Sequence, residues 1–346
     1  MKDKILVALS GGVDSAAVAV MLKNAGMEVG GATMLLCPEG ESGAADAKAA
    51  AQRLSIPFFL FDLREEFRTF VINDFIETYM RGETPNPCIV CNKTMKFGRF
   101  TDLAVENGYE KIATGHYSKI KKDGDRYLLY KSDNTQKDQS YVLWSLTQNA
   151  LSRLLLPLGT LSKDDAREAA REAALENANK KESQDICFIP DKDYAAFIRK
   201  ETGRVFPSGD FCDEEGNILG THKGIIHYTV GQRRGLGLAL PAPLYVKKKD
   251  VQNNRVILCP SERLFSDALS AREVNWIATD SITSPIRLEA KIRYGALQVP
   301  CTVIPTGKDT VRVEFDTPQR AISPGQSVVF YDGDCVVGGG IINNDI

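Results

Sequence analysis

The sequence predicts a parallel α/β domain followed by small antiparallel β modules, and three observations carry that prediction. Apolar runs of strand length alternate with amphipathic stretches through the first third of the chain; a glycine loop joins the first of these runs to the first helical stretch; after about residue 200 the texture changes to short alternating strands rich in glycine and proline. Strand-helix alternation gives a parallel sheet covered on both faces, and such sheets bind ligands at the carboxyl ends of their strands.

The strand-length runs are KILVALS (4–10), MEVGGATML (27–35), PFFLFDL (57–63) and EKIATGH (110–116), each bounded by glycine or turn residues. Between them, 44–54, 64–80 and 92–108 space their apolar residues at three and four, the helical period. A hairpin is expected over 117–132, turning at Asp123 and Gly124. Helices are expected over 138–146 and 162–175, the second opened by a capping box in which Ser162 faces the short acid Asp165. Beyond residue 200, short alternating strands imply one or two small β-barrels, with 261–278 joining them. The expected division is a catalytic domain over 1–200, a central β domain over 201–275 and a C-terminal β-barrel over 276–346.

Size and composition agree. At 346 residues the chain exceeds the roughly 250–300 at which single cores stop growing, so two or three domains are expected. A hydrophobic fraction of 43% with 25% charged residues excludes a disordered or fibrous chain. The apolar run before Ser10 is too short for a signal peptide and nothing approaches the ~20 apolar residues of a membrane span, so a cytoplasmic protein without membrane contact is expected. Eight scattered cysteines do not make a disulfide framework, and those that matter should be chemical. A net charge of −2 gives no global attraction to nucleic acid. Local basic groups (Lys119, Lys121 and Lys122; Arg233 and Arg234; Lys247, Lys248 and Lys249) are read first as solvated strand edges and loops.

The loop ALSGGVDS follows the first strand and opens the first helix. Gly11 and Gly12 let backbone approach a phosphate, the helix amides present partial positive charge, Ser10 and Ser15 add hydroxyls, and Asp14 offers a carboxylate for a divalent cation. No Lys-Ser or Lys-Thr pair follows the glycines, so this is not a Walker loop, and it is not G-x-G-x-x-G. The pair Cys88 and Cys91 in NPCIVCNKTMKF has a spacing that serves zinc, redox, iron-sulfur and nucleophilic chemistry alike. Cys91 precedes a helix expected to start near Asn92, so helix amides, Lys93 and Lys96 are expected to favour its thiolate. Cys187, followed by Phe188 and Ile189, reads alone as an inert buried thiol.

SGGVDS resembles the pyrophosphate loop of enzymes that adenylate a carbonyl oxygen with ATP. Together with NPCIVCNKTMKF (86–97), ATGHY (113–117), KDQSYVLWSL (137–146), ESQDICFIP (182–190), HYTVGQRRGLGL (227–238), AKIRY (290–294) and SPGQSVVFYDGDCVVGGGII (323–342), it resembles the bacterial tRNA-specific 2-thiouridylases from near residue 5 to near residue 342. The resemblance implies an adenine-nucleotide α-hydrolase-like (Rossmann-like) first domain and a tRNA-uridine 2-sulfurtransferase. Its activity would be ATP-dependent 2-thiolation of the wobble uridine in tRNAs for lysine, glutamate and glutamine. It implies Cys91 as nucleophile and Cys187 as persulfide carrier, the two passing through a transient disulfide.

By the same resemblance, ATP contacts are Ala8, Leu9, Ser10, Gly11, Gly12, Val13, Asp14, Ser15, Met34 after the second strand, and Gly115, with Mg2+ as companion ion. tRNA contacts are Asn86, Pro87, Cys88, His116, Lys137, Asp138, Gln139, Arg293, Tyr294 and Gln326. Partners are tRNA and a sulfur-relay protein or cysteine desulfurase as sulfur donor; a monomer is expected. Some family members carry Asp where Cys88 stands, and a thiol does not replace a carboxylate as proton acceptor, so no general-base role is carried over. Two alternatives use the same residues: a [4Fe-4S] cluster on Cys88, Cys91 and Cys187 holding hydrosulfide on its open iron, and zinc on the same thiols. Outside this chemistry stand an amide-forming pyrophosphate-loop ligase, which has no need of Cys91 and Cys187, and a non-catalytic RNA-binding module.

Overall fold

The computed structural model describes residues 3–37, 41–172 and 186–344. Its first layer is a five-stranded parallel sheet of β1 (Lys4–Ala8), β2 (Glu28–Leu35), β3 (Phe58–Asp62), β4 (Lys111–Ala113) and β7 (Leu154–Leu155), in the order β3-β2-β1-β4-β7. The order reverses between β1 and β4, which places a crevice at their carboxyl ends. Helix α1 (Val13–Asn24) buries Val13, Ala16, Ala17, Val18, Ala19, Val20 and Leu22. A helix apolar on nearly every side is a buried one, and its alanines let it sit close to sheet and neighbours.

Helix α2 (Glu41–Arg53) packs Ala47, Ala50 and Ala51 inward. The expected helix at 64–80 forms as α3, in pieces Arg64–Phe67, Arg68–Ile72 and Asn73–Met80, the middle one a wide turn. The next, α4, starts earlier than the spacing predicted and runs through Pro87–Cys91, the wide turns of Asn92–Arg99, and Phe100–Glu106. Pro87 explains the early start, because its fixed φ suits the first helical position.

The expected hairpin is present as β5 (Ser118–Asp123) and β6 (Arg126–Lys131). Over 138–146, however, only a single tight turn forms, Ser140–Leu143, and α5 follows at Gln148–Arg153. Tertiary contacts outweigh propensity there: Asn275 Nδ2 donates to the carbonyls of Trp144 (2.8 Å) and Leu146 (3.1 Å), Trp144 Nε1 donates to Ser327 Oγ (3.0 Å), and Tyr141 Oη donates to the Ser327 carbonyl (2.8 Å). Helix α6 is described over Lys163–Glu172, and residues 173–175 of the expected helix lie outside the described residues. Its capping box is real: Asp165 Oδ2 accepts from Ser162 N (2.8 Å) and Ser162 Oγ donates to it (2.7 Å).

After α7 (Tyr194–Thr202) comes a four-stranded sheet of β8 (Gly209–Cys212), β9 (Ile218–His222), β10 (Tyr245–Asp250) and β11 (Arg255–Cys259), in the order β10-β11-β8-β9. The last module is a six-stranded barrel. Strands β12 (Phe265–Trp276), β15 (Val311–Arg320), β14 (Val299–Pro305), β13 (Ile286–Lys291), β16 (Ser327–Asp332) and β17 (Cys335–Ile342) pair in that order, and β12 closes the ring by pairing β17. The stretch 261–278, expected as a connector, is thus mostly strand β12; the alternation that turns Leu269 and Ala271 inward was its signal. Hairpin β5–β6 joins the barrel through β17, with Val336 opposite Leu129.

The three modules meet at Glu83. This buried carboxylate pairs with Arg272 of β12 (3.0 Å) and Arg81 (3.4 Å), and Lys249 of β10 donates to the Glu83 carbonyl (3.4 Å) while lying 5.6 Å from the Tyr79 ring centre. Lys249, expected in a solvated basic patch, is instead buried, and burial pushes its ammonium down to about 8. Replacing Glu83 by Gln strands three cations around an uncharged amide. We expect a loss of about 3 kcal/mol, as for breaking a buried pair, read as a lower melting temperature by calorimetry with two-state unfolding lost first between modules.

Candidate functional site

The phosphate loop and the GHY segment face each other across the crevice between β1 and β4. Leu9 N donates to the Ala32 carbonyl (2.8 Å) and Thr33 Oγ1 donates to the Leu9 carbonyl (2.7 Å), which ties the loop's first residue to β2. Ser10 N donates to Ser15 Oγ (3.1 Å), and Ser15 Oγ donates to the Gly12 carbonyl (3.1 Å), so the two serines close the loop on itself. Gly12 is the N-cap of α1 and no side chain caps the helix, which leaves the first-turn amides directed at an incoming anion. Gly11 has φ +73°, and a Cβ there would lie 2.4 Å from the Gly43 carbonyl oxygen. Gly115 presses on the same helix end, its position allowing a Cβ only 2.9 Å from the Asp14 Cβ. Tyr117 Oη donates to Asp14 Oδ1 (2.9 Å). This donor set, backbone amides with hydroxyls and one carboxylate, fits a polyphosphate with a divalent cation held by Asp14. Met34 lies within β2, not after it, partly buried against two of the apolar clusters.

The four thiols Cys37, Cys88, Cys91 and Cys187 lie near one another, close enough to influence each other's charge. Cys91 and Cys37 share one apolar cluster with Met95, Phe188 and Ile189. The Ile189 amide donates to the Ile186 carbonyl (3.0 Å), closing a turn whose Phe188 packs on Phe67 (5.6 Å), Phe75 (5.4 Å) and Phe197 (5.3 Å). Phe188 and Ile189 take the buried places, and Cys187 is left exposed; the inert buried thiol that its neighbours suggested is not what forms. Residues 182–185 of its motif lie outside the described residues.

Cys91 corrects the sequence reading in a second way. It is not at a helix start but five residues into α4, whose first turn holds Pro87 and Cys88. Burial pushes the Cys91 thiol up, and Lys96 offsets this only in part. Cys187 goes the other way: a hydrogen bond from Cys37 draws its thiol down against the opposing effect of burial, with Lys96 helping. The two cysteines thus exchange the characters that the sequence suggested: Cys91 is a buried thiol held neutral, and Cys187 is an exposed thiol drawn toward the thiolate. All four are unbridged. Among the described residues, no group of three or more His, Cys, Asp or Glu side chains is arranged to hold a metal ion.

His116 borders the same space, its ring 5.5 Å from that of Phe97 and its Nδ1 2.8 Å from Thr114 Oγ1. Burial, then the charge of Lys96, hold it well below the usual imidazole range, so it is neutral at pH 7. The linkage has a definite sign. Below about pH 6.5 the unfolded chain binds a proton at His116 that the folded chain refuses, so stability falls as pH drops through that value. We expect His116→Asn to flatten the pH dependence of the melting temperature between pH 7 and 5.

The proposed tRNA contacts form two groups. Tyr294 Oη donates to the Asp138 carbonyl (3.0 Å), which brings exposed Tyr294 and Arg293 of the barrel beside Lys137, Asp138 and Gln139. Asp138 serves the turn, accepting from Ser132 N (3.0 Å) and Ser140 Oγ (2.8 Å), and Gln139 Oε1 accepts from Tyr117 N (2.9 Å). Gln326 Nε2 donates to the carbonyls of Thr84 (3.0 Å) and Pro85 (3.1 Å), directly before Asn86, Pro87 and Cys88. Of the basic groups, Lys121 and Lys122 lie over Tyr130 and Tyr127 of their own hairpin and Lys119 pairs with Asp133, the solvated-edge reading.

Sequence reasoning passed over Tyr117, which links the phosphate loop to Gln139, although it stands in the quoted ATGHY segment. It passed over Cys37 as well. The available signal was position: Cys37 follows β2 by two residues, at the ligand-binding edge of the sheet. Nothing in the sequence marks Glu83 as a junction.

Comparison with known proteins places these features in one family. Residues 3–191 match the family model described as a tRNA methyl transferase HUP domain, 195–260 a tRNA methyl transferase PRC-barrel domain, and 266–342 an aminomethyltransferase β-barrel domain. The chain is 46% identical to the tRNA-specific 2-thiouridylase MnmA of Acetivibrio thermocellus, with 99% of each chain covered. It is 45% identical to the protein of the same name from Clostridioides difficile, covering 100% of this chain and 99% of the relative. The model descriptions name methyl transfer, but relatives matched from end to end are named for thiolation, and the chain belongs to the tRNA-specific 2-thiouridylase family.

Proposed function

We propose that this protein replaces the C2 oxygen of the wobble uridine by sulfur in tRNAs for lysine, glutamate and glutamine, using ATP and a persulfide carried on Cys187. The single observation that carries the reading is that buried Cys91 shares one apolar cluster with the Phe188–Ile189 turn that carries exposed Cys187, in a chain whose first strand runs into a phosphate-binding loop. The uracil C2 oxygen is a poor leaving group, and ATP supplies the adenylyl group that lets it depart as AMP. The amides and hydroxyls of Ser10 to Ser15 hold the phosphates, with Ala8, Leu9, Met34 and Gly115 shaping the nucleotide's seat and Asp14 holding Mg2+.

Cys187, exposed, receives sulfur from a relay protein or cysteine desulfurase, because the thiolate is the form that accepts it. Cys91 acts second. After the terminal sulfur has bonded to C2 and displaced AMP, the Cys91 sulfur attacks Cys187 Sγ; the bond from Cys187 to the transferred sulfur breaks, its electron pair stays on the thiouridine, and a Cys91–Cys187 disulfide forms for an external thiol to reduce. A thiol held neutral until then does not discharge the persulfide early. Loop-base recognition requires an unstacked uridine, for which Asn86, Pro87 and Cys88 line the approach, while His116, Lys137 to Gln139, Arg293, Tyr294 and Gln326 hold the surrounding RNA.

The units act as a catalytic domain over 1–200, a central domain over 201–264 and a tRNA-binding barrel over 265–346, the boundary moved from the expected 275/276 because β12 (Phe265–Trp276) is a barrel strand, in a cytoplasmic monomer. No described helix is long and apolar enough to cross a membrane. Pyrophosphate release from ATP tests the reading against its rival: release that requires a lysine tRNA supports thiolation, whereas equal release without tRNA fits an amide-forming ligase.

A further inference from the structure

A buried tyrosine hydroxyl needs a hydrogen-bond partner, and the partner Tyr117 takes is a carboxylate of the phosphate loop. Its ring lies in the apolar cluster that includes Ala16 and Ala17 of α1, only 3% of the residue is exposed, and its Oη donates to Asp14 Oδ1 (2.9 Å). The main chain of the same residue is fixed as well. Tyr117 N donates to Gln139 Oε1 (2.9 Å) and Gln139 N donates to the Tyr117 carbonyl (2.8 Å), a bridge of two bonds to one residue. Gly115, two positions earlier, lets this segment lie against the helix end: a Cβ there would come within 2.9 Å of the Asp14 Cβ and 3.1 Å of Ser15 N. The hydroxyl thus reaches Asp14 from a backbone held on both sides.

Asp14 stands in the first turn of α1, where an acid is ordinarily a partner for the positive end of the helix. That role needs no tyrosine. A neutral donor on one carboxylate oxygen sets the plane of the group and leaves its negative charge in place, whereas a lysine or arginine would cancel it. Carboxylates that ligate metal ions are held by outer hydrogen bonds in this way.

We propose that Tyr117 is a positioning residue of the ATP site, its hydroxyl setting the Asp14 carboxylate to take the divalent cation that accompanies the polyphosphate. The inference rests on ATP as the ligand of the loop and on nothing about sulfur. Tyr117→Phe isolates the effect, because it keeps the ring in its cluster and removes only the hydroxyl.

The test is calorimetric titration of the full chain with α,β-methylene-ATP, once with Mg2+ and once with EDTA, on protein whose melting curve matches wild type. For Tyr117→Phe we expect affinity in Mg2+ to fall about tenfold and affinity in EDTA to stay at the wild-type value, since the outer hydrogen bond counts only when a cation is held. Asp14→Asn should lose the gain from Mg2+ outright, and Tyr117→Phe added to it should cost nothing further. Equal losses with and without Mg2+, or a loss that persists in the Asp14→Asn background, would make the hydroxyl a prop of the loop's shape and overturn the proposal. Unchanged affinity under both conditions overturns it too, and makes Tyr117 packing while ATP stands as the ligand. Wild type that binds the analogue under neither condition would instead refute ATP as the ligand, and the proposal with it.

Discussion

Serine in place of Cys187 lowers 2-thiouridine formation by about a thousandfold or more, because a hydroxyl neither accepts the incoming sulfur nor forms the disulfide that ends the cycle. Cys187 is exposed, so the substitution removes little packing and the variant should melt with the wild type. Cys91→Ser is expected to be as inactive in multiple turnover but for a different reason. Buried Cys91 is the resolving thiol, and its loss leaves Cys187 able to take up sulfur. Mass spectrometry of the intact protein after loading distinguishes the two: Cys91→Ser should gain one sulfur atom and Cys187→Ser none. Thiouridine within tenfold of wild type in Cys187→Ser would contradict the carrier role. In both variants, tRNA-dependent pyrophosphate release should persist, since neither sulfur belongs to the phosphate loop.

Gly11→Ala is the second large effect, and it acts on ATP. At φ +73° an alanine costs about 1–2 kcal/mol in backbone strain alone. The greater penalty is steric: the new Cβ would lie 2.4 Å from the Gly43 carbonyl oxygen, 3.0 Å from the Gly43 Cα and 3.1 Å from the Asp46 Cβ, two of them backbone atoms that cannot swing aside. The loop must move, and the first-turn amides of α1 move with it. We expect ATP affinity to fall roughly 100-fold by calorimetry, with thiolation falling in step, because misplacing a phosphate cradle by about 1 Å carries a cost of that order. Gly124→Ala is the control. Gly124 has φ +56° with nothing within 4 Å of its missing Cβ, so it takes the strain without the collision and should leave ATP binding unchanged.

Much of this was legible because local patterns and local chemistry agreed. The alternation of strand and helix gave the parallel sheet, and SGGVDS between β1 and α1 gave the phosphate loop, since backbone approach and helix amides are properties of a short contiguous segment. The misreadings lie where distant residues decide. The segment 138–146 has a helical look, but Asn275, from strand β12, takes its carbonyls. Cys91 looked like a thiolate at a helix start, and only the packing of α4 against the Phe188 turn makes it a buried thiol inside a helix. Glu83 and Lys249 are ordinary charged residues in the sequence, and their burial appears only when the modules dock. Cys37 stayed unread because a lone cysteine after a strand signifies nothing until the apolar cluster it shares with Cys91 and Phe188 is seen.

The central claim is that this chain places sulfur on uridine by way of Cys187. The most direct measurement incubates the protein with ATP, Mg2+, a lysine tRNA transcript and a cysteine desulfurase fed labelled cysteine, then digests the tRNA for nucleoside mass spectrometry. The account predicts labelled 2-thiouridine at the wobble position, absent without ATP and absent with Cys187→Ser. Thiouridine formed equally well by Cys187→Ser, or ATP cleaved on tRNA with no sulfur incorporated by the wild type, would contradict it.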